Sequence, residues 1–199
     1  MYSRSKFSAL LVAMSVGVTA CASQSTYIPE ERATATLGGR TAASYQLPSE
    51  GNEQGHVRVA SYGTAKVKGD GSKRAIHLRL AISDSGAEPV VLNTTQQRLQ
   101  LPNGRQLAPS HAVATSGTLP MLTIQPGTTE TVDLYFDVPE SSVPGRFDVI
   151  WRLRLGDQDV SRITPFDKVD IDPAVARQEA AEELMYWEPR YGYGFYHGW

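Results

Sequence analysis

Along this chain the clearest regularity is alternation. Over 75–83, Ile76, Leu78, Leu80 and Ile82 fall on one side and His77, Arg79, Ala81 and Ser83 on the other. Residues 131–138 repeat the pattern, with Val132, Leu134, Phe136 and Val138 inward and Thr131, Asp133, Tyr135 and Asp137 outward. A third inward set is Phe147, Val149, Trp151, Leu153 and Leu155, with Trp151 assigned to the core. A period of two is that of a strand with one buried face. Weaker strands are expected at 57–61, 90–92, 98–101, 119–124 and 158–169. Turn chemistry separates them: Gly69-Asp70-Gly71-Ser72, Pro102-Asn103-Gly104, Gln125-Pro126-Gly127 and Pro144-Gly145. Seven or eight short strands with no helix between them predict an antiparallel β-sandwich over residues 48–171.

The pattern lapses on both sides of that region. Residues 21–47 are mainly Ser, Thr, Ala, Gln, Glu and Gly without a sustained period, and are expected to form a flexible tether. Asp172-Pro173 reads as a helix cap and first turn, and Ala176, Ala180, Leu184 and Trp187 make one stripe, predicting a helix over 172–188. Residues 189–199 form an aromatic and glycine tail. Tyr191, Tyr193, Phe195, Tyr196 and Trp199 there are candidate binding residues, and the same rings could instead pack back on the sandwich.

The first twenty residues carry a different signal. Arg4 and Lys6 precede an uncharged apolar run over 7–18 that is too short to span a bilayer as a helix. With small residues at its end, this describes a secretory signal peptide over 1–20. Val18-Thr19-Ala20-Cys21 resembles the lipobox of bacterial lipoproteins. The resemblance implies cleavage after Ala20, lipidation of Cys21 and a membrane partner held through that anchor. The residues after the cysteine, Ala22 and Ser23, imply an outer-membrane destination for a Gram-negative source. An ordinary signal peptide with an incidental cysteine would leave one unpaired thiol in an oxidising compartment.

Three further segments, Leu101-Pro102-Asn103-Gly104-Arg105, Ile124-Gln125-Pro126-Gly127 and Phe136-Asp137-Val138-Pro139, resemble the immunoglobulin-like domains of bacterial surface lipoproteins. The chain lacks their antibody relatives' disulfide, since Cys21 is its only cysteine. The resemblance implies that strand 75–83 lies antiparallel to 131–138. His77 and Arg79 would then sit near Asp133 and Asp137 on the outer surface.

Charge and motif content narrow the function. Without Arg4 and Lys6, the 19 basic residues become 17 against 21 acidic ones, which argues against nucleic acid as a partner. His56, His77, His111 and His197 show no metal-ligand spacing, and neither a nucleophile elbow nor a phosphate loop occurs. Asp133, Asp137 and Asp148 could be imagined as paired carboxylates, but alternation places them on solvated sheet faces. No cofactor, metal or catalytic residue is expected. The expected function is a non-catalytic interaction or scaffold module for another envelope component. The alternative is a peptidoglycan- or polysaccharide-binding lipoprotein using the aromatic tail.

Overall fold

The computed structural model describes residues 26–47, 54–66, 73–139, 141 and 143–169. Cys21, the lipobox, the expected helix over 172–188 and the aromatic tail lie outside the described residues. Those described form two antiparallel sheets around one core.

One sheet contains β1 (Thr26–Pro29), β6 (Val90–Asn93), β7 (Arg98–Gln100), β8 (Gln106–Leu107), β10 (Met121–Ile124), β12 (Arg146–Leu155) and β13 (Gln158–Val169). Its main path runs β1-β13-β12-β6-β10, with β7 also on β12 and β8 on β7. The other contains β2 (Ala35–Leu37), β3 (Arg40–Gln46), β4 (Gly55–Lys66), β5 (Lys73–Asp84), β9 (His111–Ala114) and β11 (Thr129–Pro139). Its order is β2-β3-β4-β5-β11-β9.

The inward stripes read from the sequence meet in the core. Ile76, Leu78, Leu80 and Ile82 of β5 and Val132, Leu134, Phe136 and Val138 of β11 are fully buried. Trp151 closes over them from β12, its ring 5.2 Å from that of Tyr45. β5 and β11 pair antiparallel with Asp133 opposite Arg79 and Tyr135 opposite His77, as the immunoglobulin-like reading implied.

The tether expected over 21–47 is corrected from Thr26 onward, because residues 26–46 supply three strands. β1 pairs with the last strand, Thr26 opposite Val169. Tyr27 is buried, with its ring 4.8 Å from Phe147 and its hydroxyl donating to the Pro144 carbonyl at 2.8 Å. Ala43 and Tyr45 of β3 enter the core, followed by Leu47 just beyond the strand. Burial of these residues repays the ordering that a mobile tether would have avoided. Gly38 and Gly39 turn β2 into β3 with φ of 55° and 73°, the positive values a tight two-residue hairpin needs.

A side chain bridges the gap between β6 and β7 in the ladder along β12. Between β6 and β7 the chain makes one 3-10 turn over Thr94–Gln96, so no strand residue is opposite Arg152. The Gln97 amide fills that place. It accepts from the Arg152 N–H at 2.9 Å and donates to the Arg152 carbonyl at 3.0 Å, as a strand peptide would. Its burial is complete, which demands such partners.

Candidate functional site: the outer face of the six-stranded sheet

Side chains of β4, β5, β9 and β11 that point away from the core form a continuous row. At its centre is Asp133. Arg79 donates to it through Nε (2.8 Å to Oδ1) and Nη2 (3.0 Å to Oδ2), and His77 Nε2 donates to the same Oδ1 at 2.7 Å. A two-point guanidinium–carboxylate pair is stronger and more directional than a single contact. Burial alone would raise the Asp133 pKa. The hydrogen bonds and charges of Arg79 and His77 outweigh it and hold the carboxyl below its ordinary value. The same bond to Asp133 raises Arg79, against the opposing effect of its own burial.

Rings flank this pair. His77 stacks on Tyr135 at 4.5 Å and 15°, Tyr62 lies 4.9 Å beyond His77, and His111 lies 5.8 Å from Tyr135 on the β9 side. The Arg79 guanidinium sits 4.6 Å over the Tyr62 ring and also donates to its hydroxyl at 3.2 Å. A β-bulge makes this possible. The β4 register slips between Ser61 and Gly63, the extra residue Tyr62 turns outward, and Thr64 resumes the inward stripe opposite Ile76. Tyr62 then donates to the Leu37 carbonyl at 2.8 Å and pins β2 to the face. Gly38 tolerates no side chain there, since a Cβ would collide with the Tyr62 hydroxyl.

Because the rings face one another across strands, much of their π surface is occupied within the row. Ring edges, hydroxyls and nitrogens remain to meet a partner, a geometry suited to hydrogen bonding rather than to stacking a flat ligand. Beside the row, a cleft of about 320 Å³ opens between β9 and the 3-10 turn, lined by Thr94, Thr95, Ser110, His111, Leu119 and Pro120 among others.

The three carboxylates considered as a pair or triad do not converge. Asp133 is bound by Arg79 and His77, Asp137 accepts from Ser110 Oγ at 2.7 Å, and Asp148 belongs to β12 in the other sheet. His77 and His111, dispersed in sequence, are brought to the two sides of Tyr135. Cross-strand register alone unites them, so no local spacing could reveal it. No cluster of three or more potential metal-ligating side chains occurs among the described residues, nor any helix long and apolar enough to cross a membrane.

No protein-family model and no curated protein matches the chain. Solved structures similar to it include the yjhA protein of Bacillus subtilis, at 15% identity and TM-score 0.37, covering 60% of this chain and 95% of that one. An uncharacterized β-sandwich protein of Clostridium difficile is similar at 14% identity and TM-score 0.33 over 60% of this chain and 89% of its own. The ycdA protein of Bacillus subtilis, provisionally described as a lipoprotein, is similar at 14% identity and TM-score 0.38, covering 74% of this chain and 46% of that one.

Proposed function

We propose that this chain is a lipid-anchored protein of a bacterial cell envelope, held at Cys21. Its immunoglobulin-like sandwich acts as a non-catalytic docking module for another envelope protein, and its destination is the outer membrane. The observation that carries the docking reading is the outer row itself. Asp133, Arg79, His77 and Tyr62 fix one another, which makes an ordered polar and aromatic surface. Tyrosine and arginine in such settings are the side chains that most often anchor protein interfaces.

Strand order supports the immunoglobulin-like topology. β4-β5-β11-β9 facing β13-β12-β6 matches the A-B-E-D and G-F-C order of that fold, with β1, β2, β3 and β10 as additions at the edges and β7 and β8 branching from β12. The lipobox supports the anchor.

A pull-down from detergent-solubilised envelopes tests the docking face. Tyr135→Ser together with Tyr62→Ser should abolish retention of the partner, whereas Ile163→Ser, at an exposed position on the other sheet, should leave it intact. Equal retention by all three proteins would refute the assignment. For the anchor, Cys21→Ser should remove the protein from the membrane fraction.

A further inference from the structure

The two sides of the sandwich end in different ways. β1 packs across β3 and β4, so β9 of one sheet and β10 of the other close the opposite side together, with no described strand beyond either. Around β1, β2 and β3 the chain carries Glu30, Glu31, Arg32 and Arg40, charges of the kind that keep exposed strand edges from pairing. The β9 side has none: from Gln106 to Thr129 no Asp, Glu, Lys or Arg occurs. It exposes Val113 and Met121 instead, by 46% and 49%.

The free edge of β9 is symmetric about Val113. The Thr115 N–H donates to the Thr131 carbonyl at 2.9 Å, and alternation turns the main chain of Val113 and His111 the same way, towards β11. The N–H and C=O groups of Ala112 and Ala114 therefore point out of the sheet. A two-fold axis at Val113 sets Ala112 of one copy against Ala114 of another, and each such pair closes two hydrogen bonds. Val113 then faces its own counterpart and His111 faces Thr115, so no like charges meet. The cleft of about 320 Å³ along the first half of β9, between Ser110 and Ala112 on one wall and Leu119 and Pro120 on the other, lies where the counterpart's Ala114 to Ser116 would run.

We propose that β9 pairs antiparallel with β9 of a second copy about this axis, joining the two six-stranded sheets into one. An edge of four residues buries less than the roughly 800 Å² per partner of a free-standing complex. Confinement of both copies to one membrane through Cys21 raises their local concentration, an effect that rests on the anchor reading. The geometry agrees with it. Two copies held in one leaflet are related by an axis along the membrane normal, and the axis of an antiparallel edge pair is perpendicular to its sheet. β1, which holds the described residue nearest Cys21 in sequence, belongs to the other sheet. The outer rows of Tyr62, His77 and Tyr135 from both copies therefore lie side by side on the surface that faces away from the membrane.

Val113→Cys tests the axis in intact cells making the full-length chain. Opposed residues of a non-hydrogen-bonded antiparallel pair have Cα atoms about 4.5 Å apart, within the span of a disulfide. Mild oxidation should link most of the Val113→Cys protein into a species of twice its mass on a non-reducing gel. Ile163→Cys, exposed on the other sheet, should stay at the background set by wild type, whose only cysteine is Cys21. Copies carrying His111→Cys and copies carrying Thr115→Cys should cross-link with each other several-fold more than either does alone. Adding Val113→Asp, which sets two acids face to face, should return that link to background and leave the melting curve unchanged. Val113→Cys linked no more than Ile163→Cys overturns the pairing; a thiol also shielded from a water-soluble maleimide would then assign the edge to a segment of the same chain. Linkage to a protein of another mass overturns it in favour of a foreign strand. Cross-linking of His111→Cys copies among themselves overturns the register. Fractionation of the same cells reads the anchor separately, since a soluble protein that still cross-links upholds the pairing without it.

Discussion

Two polar clusters in this molecule solve the same bonding problem in opposite solvents. Between the sheets, Trp151 Nε1 donates to Thr164 Oγ1 at 3.0 Å and Thr164 donates to the Tyr45 hydroxyl at 2.8 Å, all three residues being buried. On the outer face, Asp133 gathers Arg79 and His77, partly open to water, with side-chain exposures of 17%, 29% and 18%. The buried cluster is neutral throughout; the outer one is ionic. Desolvating a charge costs several kcal/mol, so groups without formal charge serve where water is absent. Burial also raises the Tyr45 pKa, against the lowering effect of its bond to Thr164, which keeps the phenol in its neutral form.

Substitutions sharpen this contrast. The largest effect belongs to the buried side. Trp151→Ala should cost about 3–5 kcal/mol by chemical denaturation, through lost burial and a cavity. Thr164→Val keeps the shape but strands the Trp151 N–H, and a loss of about 1–3 kcal/mol in the same assay is expected. A neutral result there would mean that the cluster's bonds add nothing beyond packing. Asp133→Asn on the outer face should cost less, about 1–2 kcal/mol, because water partly replaces what is removed.

That substitution carries a pH signature. Asp133 has a depressed folded-state pKa, so its contribution is present above the unfolded value of 3.8 and is lost as pH falls through the folded one. Melting curves from pH 6 down to about pH 2 should therefore fall less steeply for Asp133→Asn than for wild type. Parallel curves would show that Asp133 is not linked to stability.

The smallest expected change has the opposite sign. Asp84, 2% exposed, breaks the rule of the buried side. Its Oδ1 accepts from the Gly86 N–H at 2.9 Å, and its buried Oδ2 has no partner. Asp84→Asn keeps the accepting oxygen and removes the charge, so a gain on the order of 1 kcal/mol is expected. A loss would instead reveal an undetected partner for the carboxylate.

What the sequence disclosed follows from side-chain size. β5, β11 and β12 bury Ile, Leu, Val, Phe and Trp at every second position, and their faces and the β5–β11 pairing are legible in the amino-acid order alone. β3 buries Ala42, Ala43 and Tyr45, and small residues carry too little hydrophobic signal to mark a strand. Gly38-Gly39 was the available clue to its hairpin. β9 escaped notice because His111 and Val113 are exposed at a sheet edge. On the outer face, the approach of His77 and Arg79 to Asp133 was readable from alternation plus register. Tyr62 was not, since its position depends on a bulge that shifts the period, and Asp137 found Ser110 instead of a cation.

The pairing of β1 with β13 also bears on how the chain acquires its shape in time. The first described strand has no neighbour in its sheet until the last one has been made, some 140 residues later in synthesis. No shorter, nascent chain can close that edge, and contacts this distant along the chain are the slow ones to form. A chain with this strand order leaves that edge of the sheet open until the last of its described strands has been made.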